Sequence, residues 1–484
     1  MYWAPSSLTM ANSSATRYAG LRHQDRLVGL PGEDPARPWL SAPVGVALLV
    51  VLLTFLHKPL TGMLPGGAFA MLLGLVVVLT VWWIDRSSER PLDIGAVEIA
   101  MVLYTLWNAY SMFAPHKYES INPLLGTAES VPRFIMTGTV FPFAMYVAGR
   151  YTFERIGAVR ALLWLVVALA AYSAAMAIMQ FNGPTSLVWP RYIVDGSLPE
   201  GETWTERAIG IFNQPVVNGA TMVLGFAFAM LLASRYATGH RWMRLPLGII
   251  AIACGYGIYL THTRVAWLAA LLMLLIGALC AKGFRTGFVK ALVFVGAVVA
   301  LNWSSFTSSD REAGGIGSKN EVYDRLNGIK TSLWAFEQEP IVGWGVGRFA
   351  VVNTYHHQQW SPETPWNSGY GIVSHTNELG ILAELGIVGL VLWLAVLVLL
   401  AHRLWKAYRV MPADMLAGRP LMLMAIIAFA VQICVGFTVD LRFFAFPTYF
   451  IFLLMGAVVG LSERYQRRSG NTGVVPEPRG SRTW

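Results

Sequence analysis

The sequence predicts an all-α polytopic membrane protein of about 12 transmembrane helices, with a large extracytoplasmic loop containing short helices. Three observations carry that prediction. Of 484 residues, 55% are hydrophobic and only 13% are charged, against roughly a quarter charged in soluble chains. Mean hydropathy is +0.52. The apolar residues come in runs of about 20, the length a helix needs to cross a bilayer.

The expected spans lie near 43–57, 63–84, 92–114, 131–149, 156–180, 208–233, 245–262, 265–281, 287–302, 376–401, 420–439 and 443–462. Pro132, Arg133 and Pro142 interrupt the fourth, and the ninth is short. The first 40 residues lack an apolar core, so the first span is expected to serve as the insertion signal. The chain accordingly divides into a tail (1–42), nine spans (43–302), a loop (303–374), three spans (375–462) and a second tail (463–484). That second tail is basic and Pro/Gly-rich and reads as disordered, with its arginines near anionic lipid.

A formal charge of +9 invites a nucleic-acid reading, but the cations sit mostly in short loops between spans. Of the 36 basic residues, 24 fall in the tails and the loops on their side. The other 12 include Arg311, Lys319, Arg325, Lys330 and Arg348, all in the long 303–374 loop, where charge has little topogenic weight. Both tails are therefore expected in the cytoplasm and the long loop outside. Arg191, Arg207, Arg264 and Arg442 then lie on the outer side against the usual preference. Such arginines snorkel or pair with lipid phosphate; several converging on one pocket would make an anion site. Cys254, Cys280 and Cys434 fall in or at the end of apolar runs and read as packing residues, without a disulfide framework.

Two outer segments exceed ordinary connectors. Residues 181–207 are rich in Pro, Gly and Trp. In the 303–374 loop, Val322, Leu326, Ile329, Leu333 and Phe336 recur at helical spacing and predict one amphipathic helix. Trp334, Trp344, Trp360, Trp366, Tyr355 and Tyr370 share that loop, as interfacial anchors or as sugar-stacking platforms. No repeat relates the two halves, which weighs against a transporter or polysaccharide flippase.

The Gly343–Phe349 run lacks the Gly-Lys-Ser/Thr ending of a phosphate loop and reads as a glycine-supported turn packed on the membrane domain. His356, His357 and His375 share the outer side without any HExxH or Asp-x-Asp pattern, so neither a dedicated metal site nor a cofactor is expected. Without a metal, cleavage of a diphosphate must rely on protein cations, and the arginine fork matches phosphate oxygens. His375 opens a span, where water and substrate reach it. Ser374 and Thr376 flank it, Asn377 and Glu378 follow with capping groups and an acid at i+3, and Glu384 lies deeper, where an unpaired carboxylate would be costly.

The segment His375, Thr376, nine residues, then Gly386-Ile-Val-Gly389 resembles the signature of the bacterial O-antigen ligase and polymerase superfamily. It departs at Thr376, where the ligase pattern usually has Asn, Ser or Gln; ligase and polymerase both stay open. Arg207-Ala-Ile-Gly-Ile-Phe-Asn-Gln-Pro215, Thr261-His-Thr-Arg264 and Pro340-Ile-Val-Gly-Trp-Gly-Val-Gly-Arg-Phe349 resemble further elements of that family, in matching order over roughly residues 200–460. The resemblance implies a membrane glycosyltransferase in the bacterial inner membrane, with a periplasmic active site. Its donor would be a glycan on undecaprenyl diphosphate, and its acceptor lipid A–core, another carrier-linked glycan or a protein hydroxyl. By the same resemblance His375 assists the acceptor hydroxyl and Arg207 and Arg264 hold the diphosphate. Asn377, Glu378, Arg191, Asp440 and Arg442 are supporting candidates, the last two as a minor ion pair at a span end.

Overall fold

The computed structural model describes residues 41–63, 93–122, 127–128, 130–196, 204, 206–235, 241–308, 319–365, 372–413 and 415–471. Most of the expected second span, along with Arg311, Trp366 and Tyr370, lies outside them. The protein is an all-α polytopic membrane protein; among the described residues the only regular structure besides helices is a two-residue antiparallel pair (Ile121–Asn122 with Thr127–Ala128).

Among the described residues seven helices are long and apolar enough to cross a membrane: Val131–Thr152, Ile156–Asn182, Pro215–Arg235, Arg241–Leu260, Asn377–Val410, Arg419–Gly436 and Ala445–Arg467. Helices also occupy four other expected spans, at Ala42–Phe55, Ala96–Phe113, Arg264–Cys280 and Arg285–Leu301. None of these four exceeds 18 residues, or about 27 Å at 1.5 Å per residue, slightly short of a hydrocarbon core.

Packing explains several boundaries. The sixth span begins at Pro215 rather than near 208, because Asn213 takes a left-handed conformation (φ 51°) and Pro215 opens the helix. The last helix continues to Asn471, beyond the expected limit at 462 and into the tail read as disordered. Charge holds it there. Buried Arg150 pairs with Glu98 (2.5 Å) and Glu463 (2.8 Å), Arg464 pairs with Glu154, and Arg467 pairs with Asp93 (3.2 Å). Gly149, Gly456 and Gly460 let this helix and Val131–Thr152 approach backbone to backbone. Cys254 and Cys434 are buried as expected, but Cys280 ends its helix exposed.

At the other end of the bundle several segments meet. Gly436, closing one helix, faces Asn377, which opens another. Phe212, ahead of Pro215, stacks on Phe446 at 5.5 Å. Ala208 N–H donates to the Leu260 carbonyl (2.9 Å). The turns carrying Arg207, the segment leading to Arg264, the start of the histidine helix and the Asp440–Arg442 turn therefore share one end, called the site end below.

Candidate functional site

The helix that begins at Asn377 is broken at Gly386, whose φ of 65° and ψ of −167° suit only glycine. A side chain at Gly386 would collide with the Ile341 carbonyl. The break leaves carbonyls without helical partners, and the glycine-rich 340–349 turn supplies them. Trp344 N–H donates to Ala383 O (3.0 Å), Gly345 N–H to Glu384 O (2.9 Å), and the Trp107 indole to Leu385 O (2.9 Å). In return Ile387 N–H donates to Pro340 O (2.8 Å). Gly343, Gly345 and Gly347 all have positive φ, so the run is a close-packing turn, as its composition suggested.

Glu384, just before the break, is buried and joins this turn to the Asp440–Arg442 turn. Its Oε1 accepts from Phe349 N–H (3.1 Å) and its Oε2 from Arg442 Nη1 (2.7 Å). Arg442 also grips Asp440 through Nη2 (2.6 Å) and Nε (2.9 Å). The expected minor pair is thus a buried triad of two carboxylates and one guanidinium. Arg442 has its fork committed to carboxylates, which removes it from any phosphate-binding set. Gly380 makes room for it, since a Cβ there would lie 2.9 Å from Arg442 Nη2. A π-helical turn, Met136–Val140, brings Gly138 equally close to Arg442. A cleft beside the triad is lined by Ser374, Glu384 and Asp440 with Phe134, Phe349 and Phe443.

His375 sits next to that cleft, in a turn clipped by Ser374. The Ser374 hydroxyl donates to Thr376 O (2.9 Å) and accepts from Thr376 N–H (3.3 Å). Burial, and second the nearby Arg325 guanidinium, push the imidazole down to about 4. The ring is therefore neutral at pH 7. Arg325 lies on the Asn320–Gln338 helix, the amphipathic helix expected from the sequence. It had stood only as one of five loop cations, because nothing local marks which of them faces His375.

Arg207 is buried, with its guanidinium 5.0 Å over the Trp204 ring. Its carbonyl accepts from Gln180 Nε2 (2.9 Å), and Glu206 O lies 2.6 Å from His262 Nδ1. Arg264 opens its helix after Thr263, two residues beyond His262. These backbone ties bring the Arg207 and Arg264 segments side by side. Asn377 is buried against Gly436, and Glu378 lines a second cavity with Trp393, Gln432 and Thr448. Arg191 is exposed and donates to the Thr185 carbonyl (2.8 Å), closing its own turn. Among the described residues no cluster of three or more His, Cys, Asp or Glu is placed to hold a metal.

Fold and site together define a polytopic helical membrane protein with a cation-rich polar site at one end of its bundle. Residues 249–394 match the family model described as O-Antigen ligase, a match that supports the resemblance to the O-antigen ligase/polymerase superfamily. The matched stretch contains Arg264, Arg325, His375, Glu384 and Gly386; Arg207, Asp440 and Arg442 lie outside it. No curated protein matches the chain.

Proposed function

We propose that this protein transfers a glycan from undecaprenyl diphosphate to an acceptor hydroxyl, in the manner of an O-antigen ligase, at the outer face of a bacterial inner membrane. The observation that carries the reading is a neutral His375 beside Arg325, at the bundle end that also holds Arg207 and Arg264. The acceptor O–H bond breaks, its proton passes to the imidazole, and the hydroxyl oxygen bonds to the anomeric carbon. The carbon–oxygen bond to the diphosphate breaks in the same step, inverting that centre. The departing diphosphate carries the released charge, and Arg207, Arg264 and Arg325 stabilise it as it develops.

A base held at about 4 is weak for this task. Donor binding corrects part of that, because an anion placed on Arg325 offsets the charge that depresses the imidazole. Desolvation, the larger cause, remains.

His375→Ala is expected to abolish transfer while insertion and folding stay normal. Full transfer by that variant in a complementation assay removes His375 from the mechanism. Arg207→Ala and Arg264→Ala should each cost far more than Arg191→Lys, since Arg191 only closes a turn. Chelators should leave activity intact, and inhibition reversed by one divalent ion would defeat the metal-free scheme. Loss of the gene should leave finished polymer on its carrier; single-repeat products would instead identify a polymerase.

A further inference from the structure

Five aromatic rings stack on one another where the 340–349 turn meets the Asn320–Gln338 helix. Tyr355 lies on Tyr118 (5.4 Å, 19°), Tyr118 on Trp344 (6.1 Å, 13°), Trp344 on Trp334 (5.7 Å, 27°), and Trp334 on His356 (4.8 Å, 21°). Polar ties keep the stack rigid. The Tyr118 hydroxyl lies 2.8 Å from His356 Nε2, Arg348 Nε donates to Tyr118 O (2.8 Å), and the Ser120 hydroxyl donates to Gly347 O (2.8 Å). Each inner ring has at least two ring neighbours, whereas Tyr355 at the end is 65% exposed. Lys117 places its ammonium over Tyr118 and Trp344, at 5.4 and 5.9 Å.

A second exposed ring is held along the same helix. Trp360 is 45% exposed, and its backbone N–H donates to Asn327 Oδ1 (2.9 Å). Asn327 precedes Trp334 by seven residues, two turns, which puts both on one face of Asn320–Gln338. Arg325, nine residues before Trp334, lies half a turn round, on the opposite face of that helix. Rise along the helix from Arg325 to Trp334 is about 14 Å.

We infer that these rings form an extended glycan subsite, in which successive sugar rings stack on Trp360 and Tyr355 while the reacting end lies round the helix at Arg325 and His375. A pyranose has an aliphatic C–H face that matches a flat, pre-organised ring, and hydroxyls at its rim that suit the Lys117 ammonium. Interfacial anchoring is the competing use of such rings. It is disfavoured because the stacked rings belong to segments bound to one another by polar contacts, none of which is among the seven candidate spans. The choice of ligand class rests on the glycan-transfer reading above, but the binding it asserts requires no transfer.

The test uses the full-length protein in nanodiscs and the producing cell's own oligosaccharides, freed from their carrier by mild acid and sorted into single-repeat and multi-repeat fractions. Binding is read from tryptophan fluorescence and calorimetry. Multi-repeat glycan should bind more tightly than single repeats. Tyr355→Ala and Trp360→Ala should each weaken it about three- to tenfold, while Tyr355→Phe, which keeps the ring, binds as wild type. Unchanged melting curves will show that the alanine variants are folded. His375→Ala should still bind, so loss of transfer and loss of this subsite are read separately. Equal affinity of wild type and both alanine variants for multi-repeat glycan overturns the inference. So does a fluorescence response to phosphatidylglycerol vesicles alone that disappears in Tyr355→Ala.

Discussion

Replacing Arg442 by alanine strands two buried carboxylates. In the native protein Glu384 and Asp440 are 4% and 2% exposed at the side chain and share one guanidinium through contacts of 2.6–2.7 Å. Removing one partner of a buried ion pair costs about 3–5 kcal/mol. The stranded groups escape further penalty only by taking up protons, at about 1.4 kcal/mol per pH unit above an ordinary carboxyl pKa near 4. Two protonations at pH 7 set a ceiling of about 8 kcal/mol, so the loss should lie between about 3 and 8. The carboxyl groups protonate more readily in acid, so the penalty should shrink by about 1.4 kcal/mol per unit for each group between pH 7 and pH 5. Thermal unfolding of purified protein in detergent, followed by intrinsic fluorescence at both pH values, measures this. The triple variant Glu384→Gln, Asp440→Asn, Arg442→Met leaves no buried charge and should melt closer to wild type than Arg442→Ala does. An Arg442→Ala protein that melts with wild type at pH 7, or whose deficit is the same at pH 5, refutes the reasoning.

Two further outcomes follow from the same geometry. Folding depresses His375 to about 4 from its ordinary 6.5, so its contribution to stability is complete above pH 6.5 and fades as pH falls towards 4. The acid limb of kcat/KM should therefore sit near pH 4 in wild type. Arg325→Gln should move it upward, but not as far as 6.5, because burial is the larger cause; an unmoved limb would mean Arg325 does not act on His375. Gly386→Ala and Gly343→Ala force a side chain into a positive-φ site facing backbone, whereas Gly328, in mid-helix with open space around it, should accept alanine with a gain of about 0.5–1 kcal/mol. Comparable melting of the three alanine variants would contradict the stitched helix break.

Much of the scaffold was legible locally. Apolar runs near bilayer length marked the helices, and the 3.6-residue recurrence from Val322 to Phe336 found the amphipathic helix now seen as Asn320–Gln338. His375 stood out because a titratable ring is unusual at the rim of a span; Gly386 entered only through the family signature, and the helix break it makes was not foreseen. Boundaries were less legible, since Pro215 and Asn213 set one start and Arg150 extends the last helix from more than 300 residues away.

Composition and spacing by themselves determined that the chain is a helical membrane protein with a histidine at the rim of a span. Tertiary structure alone decided what each arginine packs against. Arg442 meets Glu384 across 58 residues, and among the loop cations it is the charge of Arg325 that acts on His375. Arg191 looks like the others in sequence yet ends on a carbonyl six residues away. The physical reason is that a hydrophobic run specifies its own burial, whereas a charge acquires its role only from the opposite charge that packing sets beside it.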